Sequence, residues 1–491
     1  MASLRRRLIL NSELTRPDGR KLLYITVAAI AFAIFMVLLM QTVFSSTPTE
    51  DVVDEDTDSD EETETTEDAH ETVIPEEDIT ITVSAVGDIT IHDAQLNSMF
   101  DNETSDYNFD PAFDKIQSIL SASDLTIGNM NGVFAGAENT HSGYPSFNTP
   151  DALADTLSAA GFDLLVGANA TAMNFGFDGV SRTQEVMTNA GIDPVGIYNA
   201  DDSHAVYKEV DGILIAFVAY SENIDGYNNQ NIPFEEAAER VGIMNEDTIN
   251  ADLDEVRSNN PDFIFAYMNW GEEFQYDVTE MQEQYINLLA DNGVDVVVGS
   301  YPKNIQRTQY VTGSTNPTSD SDEENEDSEE AEEHETFVAY SLGNFFSNQR
   351  RETLGDGYEP TEDGVIMNFE ITKAAGTGDT TLSDVEFIPT WTYRHSENNQ
   401  VPFTYDILPV EETLADDDSY NDEVMGKLND SLVRTEVRLN MAQARSTEVE
   451  PSTVIEVEDN VEADDEEEPA DDEVEETENT EEDSEDTTSE E

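Results

Sequence analysis

The first long feature of the chain is an apolar run. Residues 22–44 hold 23 consecutive positions without a charge, long enough at about 1.5 Å per residue to span a hydrocarbon core of about 30 Å. The run exceeds the roughly 7–15 apolar residues of a cleavable signal peptide, and Val43-Phe44-Ser45 matches a cleavage site weakly. The pattern therefore predicts a retained transmembrane helix. After residue 78 the grammar changes. Ile79, Ile81, Val83 and Ala85 alternate with polar residues up to Gly87-Asp88, which predicts a strand followed by a turn. Thr149-Pro150 opens a helix whose apolar face is Leu153, Leu157 and Ala160; Gly161 closes it before FDLLVGAN. The same order recurs at Gly191 before GIDPVG, and at Gly293 after a helix bearing Met281, Tyr285, Leu288 and Leu289. Each glycine fits a left-handed C-cap leading into a buried strand. Further strands are expected at 124–129, 212–221, 263–271 and 337–345. Helices alternating with apolar strands predict an α/β layered architecture rich in parallel sheet.

Charge divides this 491-residue chain. Arg5, Arg6, Arg7, Arg16, Arg20 and Lys21 precede the apolar run, and the next basic residue after it is Lys115. By the positive-inside rule, residues 1–21 are expected in the cytoplasm and everything beyond residue 45 outside it, at a cell membrane. Residues 45–78 carry 16 acidic residues and residues 446–491 carry 24, with no Lys or Arg in either; both are expected to be a disordered linker and tail. Between them, residues 79–445 form the expected folded domain, with 68 acidic and 15 basic residues and an acidic surface insertion at 314–335. Such a balance excludes a basic nucleic-acid interface. The absence of cysteine excludes disulfides and lipoprotein attachment.

Ligands of open α/β sheets bind beyond the carboxyl ends of the strands. The polar residues ending the apolar runs are Asp88, Asn129 with Asn131, Asn169 with Thr171, Asn269 with Glu272, and Ser300 with Tyr301 and Lys303; His92 and Asp93 lie in the first loop. Any one of them could end a strand by bonding turn backbone. Five strands ending this way point to a cleft.

The segments GDITIHDAQL (87–96), DLTIGNMNGVFAG (124–136), GYPSFNTPDALADTLSAAGFDLLVGAN (143–169), GFDGVSRT (176–183), NWGEEF (269–274), GVDVVVGSYPKNIQ (293–306) and AYSLGNFF (339–346) stand in the order seen in the CapA family, which this chain resembles. The resemblance implies a poly-γ-glutamate capsule biosynthesis protein with a calcineurin-like metallophosphatase fold: two mixed sheets flanked by helices, with a two-metal site at the strand ends. Asp88 matches the family's first metal-binding aspartate, Asn129 its asparagine, and His92 with Asp93 the GDxxxHD form of one branch. Elsewhere the pattern departs. Asn131 stands for a glutamate, Ala170-Thr171 for Asn-His, Asn269 for a histidine, and Tyr301-Pro302-Lys303 for His-Pro-His. A two-metal hydrolytic site needs several anionic or imidazole ligands to hold its cations, and these changes remove them. A divalent metal, if bound, would rest on Asp88 and Asn129.

Three functions follow as expectations. The leading one is a membrane-anchored surface component of capsule synthesis or export beside the synthase subunits, with a degenerate metal site and with Lys303 either free to meet a carboxylate or phosphate or pointing to solvent. The second is an active metal-dependent hydrolase of phosphoesters or of the γ-glutamyl polymer, using Asp88 and His92, with Glu272 or Glu273 replacing lost ligands. The third is a structural acidic surface protein.

Overall fold

In a computed structural model of the chain, the described residues are 74–200, 202–224, 232–315, 332–396, 402–416 and 420–439. The expected transmembrane segment, most of the linker and the acidic tail lie outside them. Among the described residues no helix is long and apolar enough to cross a membrane.

The main elements, in chain order, are β1 (Ile79–Ile89), α1 (Asp93–Met99), β2 (Leu125–Met130), α2 (Ala152–Ala160), β3 (Leu164–Val166), α3 (Gly176–Asn189), β4 (Asp193–Val195), β5 (Val206–Val210), β6 (Ile213–Ser221), α4 (Glu246–Ser258), β7 (Phe263–Asn269), α5 (Glu280–Asp291), β8 (Val296–Ser300), β9 (Thr308–Thr315), β10 (Glu332–Ala339), β11 (Asn344–Phe346), β12 (Asp363–Lys373), β13 (Thr380–His395), β14 (Thr404–Pro409) and α6 (Asp422–Leu439). One sheet runs β14-β13-β12-β1-β2-β3-β4, with β11 also paired to β1; the other runs β9-β10-β8-β7-β6-β5. Both are mixed. In the first, β1 to β4 are parallel and β12 to β14 antiparallel. In the second, β6, β7, β8 and β10 are parallel, with antiparallel edges β5 and β9.

The two-residue period of the strands sorts the second sheet's side chains between two cores. Phe217, Phe265, Tyr267, Val298 and Phe337 face the first sheet and join Val83, Ala85, Met367 and Phe369 in one core. Their alternates, Val218, Ala266, Met268, Val297 and Tyr340, pack against Ile249, Leu253 and Val256 of α4 and Ile286 and Leu289 of α5. Phe369 meets Phe265 edge-on across the sheets at 5.5 Å, and the Tyr267 hydroxyl donates to the Val86 carbonyl at 2.6 Å. This is the layered sandwich of two mixed sheets that the resemblance implies.

Gly161, in the left-handed region at φ 105°, caps α2 as expected. Three expectations need correction. Helix α2 begins at Ala152, two residues after Pro150. The apolar stripe of α5 is rotated, so that Met281 is exposed while Gln282 is buried in a capping box with Thr279. The insertion 314–335 is narrower, because Ser314↔Glu333 and Thr315↔Glu332 extend the antiparallel pairing of β9 with β10.

Candidate functional site

The carboxyl ends of β1, β2, β7 and β8 converge on one cleft. Asp88 is placed there by a close approach of two chains. A side chain at Gly87 would lie 2.1 Å from the Gly343 carbonyl oxygen, and that carbonyl accepts the Asp88 N–H at 3.0 Å. Only glycine lets β1 and the segment entering β11 come so close. The Asp88 carboxylate is fully buried and accepts three hydrogen bonds. Asn129 Nδ2 donates to Oδ1 at 2.5 Å; the Tyr301 N–H and the Lys303 ammonium donate to Oδ2 at 3.3 and 2.8 Å.

The loop after β8 makes this possible. Tyr301 and Lys303 both hold positive φ, 92° and 63°, a conformation that costs non-glycine residues about 1–3 kcal/mol and persists where surrounding structure enforces it. Here the Pro302 carbonyl accepts the Phe274 N–H at 2.7 Å. The turn aims the Tyr301 N–H and the lysine at Asp88. Lys303 is 1% exposed. It is therefore neither free for an anionic ligand nor pointed at solvent, as the sequence had left open; its charge is committed to a carboxylate on the opposite sheet.

The cleft beside this pair has a volume of about 590 Å³ and is lined by Thr90, His92, Asn131, Tyr144, Pro145, Phe147, Ala170, Thr171, Glu273, Phe274, Tyr301, Lys303, Asn348, Gln349, Thr353 and Leu354. Burial, reinforced by the nearby Lys303 charge and opposed by Asp93, lowers the His92 imidazole to about 4, so it is neutral near pH 7. Its Nε2 lies 3.3 Å from Ser347 Oγ. Burial, with Glu273, Glu222, Asp88 and Glu272 around it, pushes the Tyr301 hydroxyl up to about 12. Asn131 donates to Thr90 Oγ1 at 3.1 Å, while its Oδ1 and that of Asn129 are buried without a partner.

Other predicted site residues take structural places. Asn169 accepts from Thr171 N and Oγ1 in a turn and donates to the Met130 and Gly167 carbonyls. Asn269 accepts from Ala170 N and Ser221 Oγ and donates to Ser300 Oγ. Neither lines the cleft. Asp93 is turned away to accept the Gly143 N–H at 2.7 Å. Glu272 is exposed, and only Glu273 reaches the rim, so Glu272 does not replace a lost ligand. Sequence reasoning missed Thr90, Tyr144, Phe147, Ser347, Asn348 and Gln349. The signal was there for some: Tyr144 and Phe147 lie within the block at 143–169 that carries the resemblance, and Ser347 directly follows the AYSLGNFF block.

The donor set does not suit a pair of divalent cations. Among the described residues no three His, Asp or Glu side chains gather as metal ligands, and the one buried carboxylate of the cluster already carries an ammonium and an amide.

The family model for the bacterial capsule synthesis protein PGA_cap matches residues 82–349. The chain belongs to this family. Among curated relatives, it is 23% identical over 307 residues to the PGA biosynthesis protein CapA of Bacillus subtilis (strain 168), covering 61% of this chain and 70% of that one. It is 23% identical over 302 residues to the capsule biosynthesis protein CapA of Bacillus anthracis, covering 59% of this chain and 64% of that one. Among solved structures, the calcineurin-like phosphoesterase YfkN from Bacillus subtilis is similar at 12% identity and a TM-score of 0.36, over 73% of this chain and 98% of that one. A phosphatase from Mycoplasma pneumoniae is similar at 12% identity and a TM-score of 0.33, over 63% and 93%.

Proposed function

We propose that this PGA_cap family member is a noncatalytic, membrane-anchored surface component of poly-γ-glutamate capsule assembly, in which Lys303 supplies the positive charge that metal ions would bring to Asp88. The observation that carries the reading is the buried ion pair: Lys303 Nζ stands 2.8 Å from Asp88 Oδ2, with both side chains at 2% exposure or less. A divalent cation would have to displace an ammonium that the Tyr301-Pro302-Lys303 turn holds in place. The anchor rests on the uncharged run 22–44 and its basic N-terminal flank. It would keep the domain at the outer membrane face, beside the synthase that makes or exports the polymer. Because Lys303 is spent on Asp88, the described lining of the cleft offers a polyanion no free cation. The domain then serves the synthase by contact with a partner, not by gripping the polymer at this site.

The test is complementation. In a strain lacking this gene, a variant carrying His92→Ala, Asp88→Asn and Lys303→Met removes the imidazole, the buried carboxylate and the ammonium on which chemistry at the strand ends would rest, and leaves no unpaired charge at the Asp88–Lys303 pair. Restored surface poly-γ-glutamate is expected. Loss of polymer, with the variant present at the membrane in normal amount and folded, would return the cleft to catalysis.

A further inference from the structure

The cleft has a composition that neither a phosphoester nor a polyanion requires. Among the described lining residues the charged side chains are Lys303, already paired, and Glu273, and the wall is rich in aromatic rings: Tyr144 stands 77% exposed at the mouth, 6.0 Å edge-on from Phe147, with Tyr301 and Phe274 also in the wall. On its floor the Asn131 amide, 5% exposed, leaves one polar atom unpaired. A buried polar atom without a partner costs free energy until something meets it. Asn131 lines a space of about 590 Å³, within the range of about 300–1,000 Å³ typical of organic ligands.

We propose that the cleft holds a stretch of uncharged glycan, with Tyr144 stacked on the C–H face of a sugar ring and Asn131 bonded to ring hydroxyls. The inference rests on the reading that Lys303 cancels Asp88, since a free charge at either would select an ionic ligand. Three observations favour sugar. A hydroxyl both donates and accepts, so it satisfies the Asn131 amide in either orientation, whereas a carboxylate only accepts. Among the described lining residues Lys303 is the one cation, and it is already paired. Each unit of a γ-glutamate polymer would instead bring a carboxylate toward Glu273. An exposed tyrosine also presents a rigid, amphipathic surface whose ring buries apolar area while its hydroxyl stays wet.

Isothermal titration of the full chain in detergent tests this, using the tetramers of N-acetylglucosamine and of glucose and a γ-glutamate oligomer as probes. At least one tetrasaccharide is expected to bind saturably, with Tyr144→Ala weakening it about tenfold and Asn131→Ala by a smaller factor. The γ-glutamate oligomer is expected to give no heat of binding. The inference is overturned if neither tetrasaccharide binds, if Tyr144→Ala binds as well as the parent, or if the γ-glutamate oligomer binds more tightly. Metal analysis of the same sample keeps the two readings apart. Glycan binding with divalent metal at Asp88 would overturn the Lys303 reading alone. Metal-free protein without glycan binding would overturn this inference alone.

Discussion

Two buried lysine–aspartate pairs pin the sheets together, one at each end of β1, and they differ in a telling way. At the far end from the cleft, Lys373 at the close of β12 pairs with Ile79 at the start of β1. It donates to Asp262 at 2.8 Å and to the Gly212 carbonyl at 3.0 Å, and Asp262 also accepts the Leu214 N–H. Every contact there is one a fold needs. Asp88 and Lys303 lie nine residues along the same strand, roughly 30 Å away. This pair has a cleft at its side, two strained residues behind it and two amide oxygens nearby without partners. A latch satisfies all its neighbours. A site leaves something for a ligand to finish.

Breaking either pair from the lysine side should have the largest effect. Removing one partner of a buried pair leaves an uncompensated charge and costs about 3–5 kcal/mol, so Lys303→Met and Lys373→Met should both show this loss in denaturant unfolding. The comparison is sharpened by adding manganese. Lys303→Met exposes the Asp88 carboxylate to the cleft, so millimolar manganese should raise its Tm, while the Tm of Lys373→Met and of the parent should not move. A smaller effect comes from the double variant. Asp88→Asn with Lys303→Met should recover most of the stability lost by Lys303→Met alone, because no buried charge remains.

Next in size is a pH effect at the cleft end. The folded His92 imidazole titrates at about 4 against an ordinary value near 6.5. Between these values the unfolded chain binds more protons than the folded one, so this group makes stability fall as pH drops from 6.5 toward 4. Asp295, buried and raised to about 7, acts in the opposite sense: the folded state holds its proton longer, and stability falls as pH rises from about 4 through 7. Over pH 4–6.5 the two contributions oppose each other, so His92→Gln should leave the Asp295 decline unopposed and make stability fall more steeply with rising pH there than in the parent, as read by urea midpoints across pH 4–8. The smallest effect is that of Tyr144→Ala, an exposed side chain whose loss should change unfolding stability by less than about 0.5 kcal/mol.

The parallel halves of both sheets were legible because long apolar runs ended at glycine caps, as at Gly161 before β3. The antiparallel half was not. Strand β13 alternates exposed and half-buried residues for most of its length and includes Pro389, so no apolar run announces it. Helix α6 buries Ser431 and Thr435 in line with Val424, Leu428 and Leu439, which breaks the apolar stripe that a 3.6-residue period would show. At the site, strand-end polar residues marked the right end of the fold. They could not reveal that Lys303 reaches Asp88, because the contact crosses between sheets over 215 positions. Nor could they separate Asn131, which faces the cleft, from Asn169 and Asn269, whose amides are consumed by neighbouring backbone and hydroxyls.

The central claim is that an ammonium does the electrostatic work of metal ions at Asp88. The most direct measurement is elemental analysis of the full chain purified without chelator, paired with Tm before and after exhaustive treatment with EDTA. The account predicts no stoichiometric manganese, zinc or iron and an unchanged Tm. Two equivalents of a divalent metal, with a Tm that falls on chelation, would contradict it.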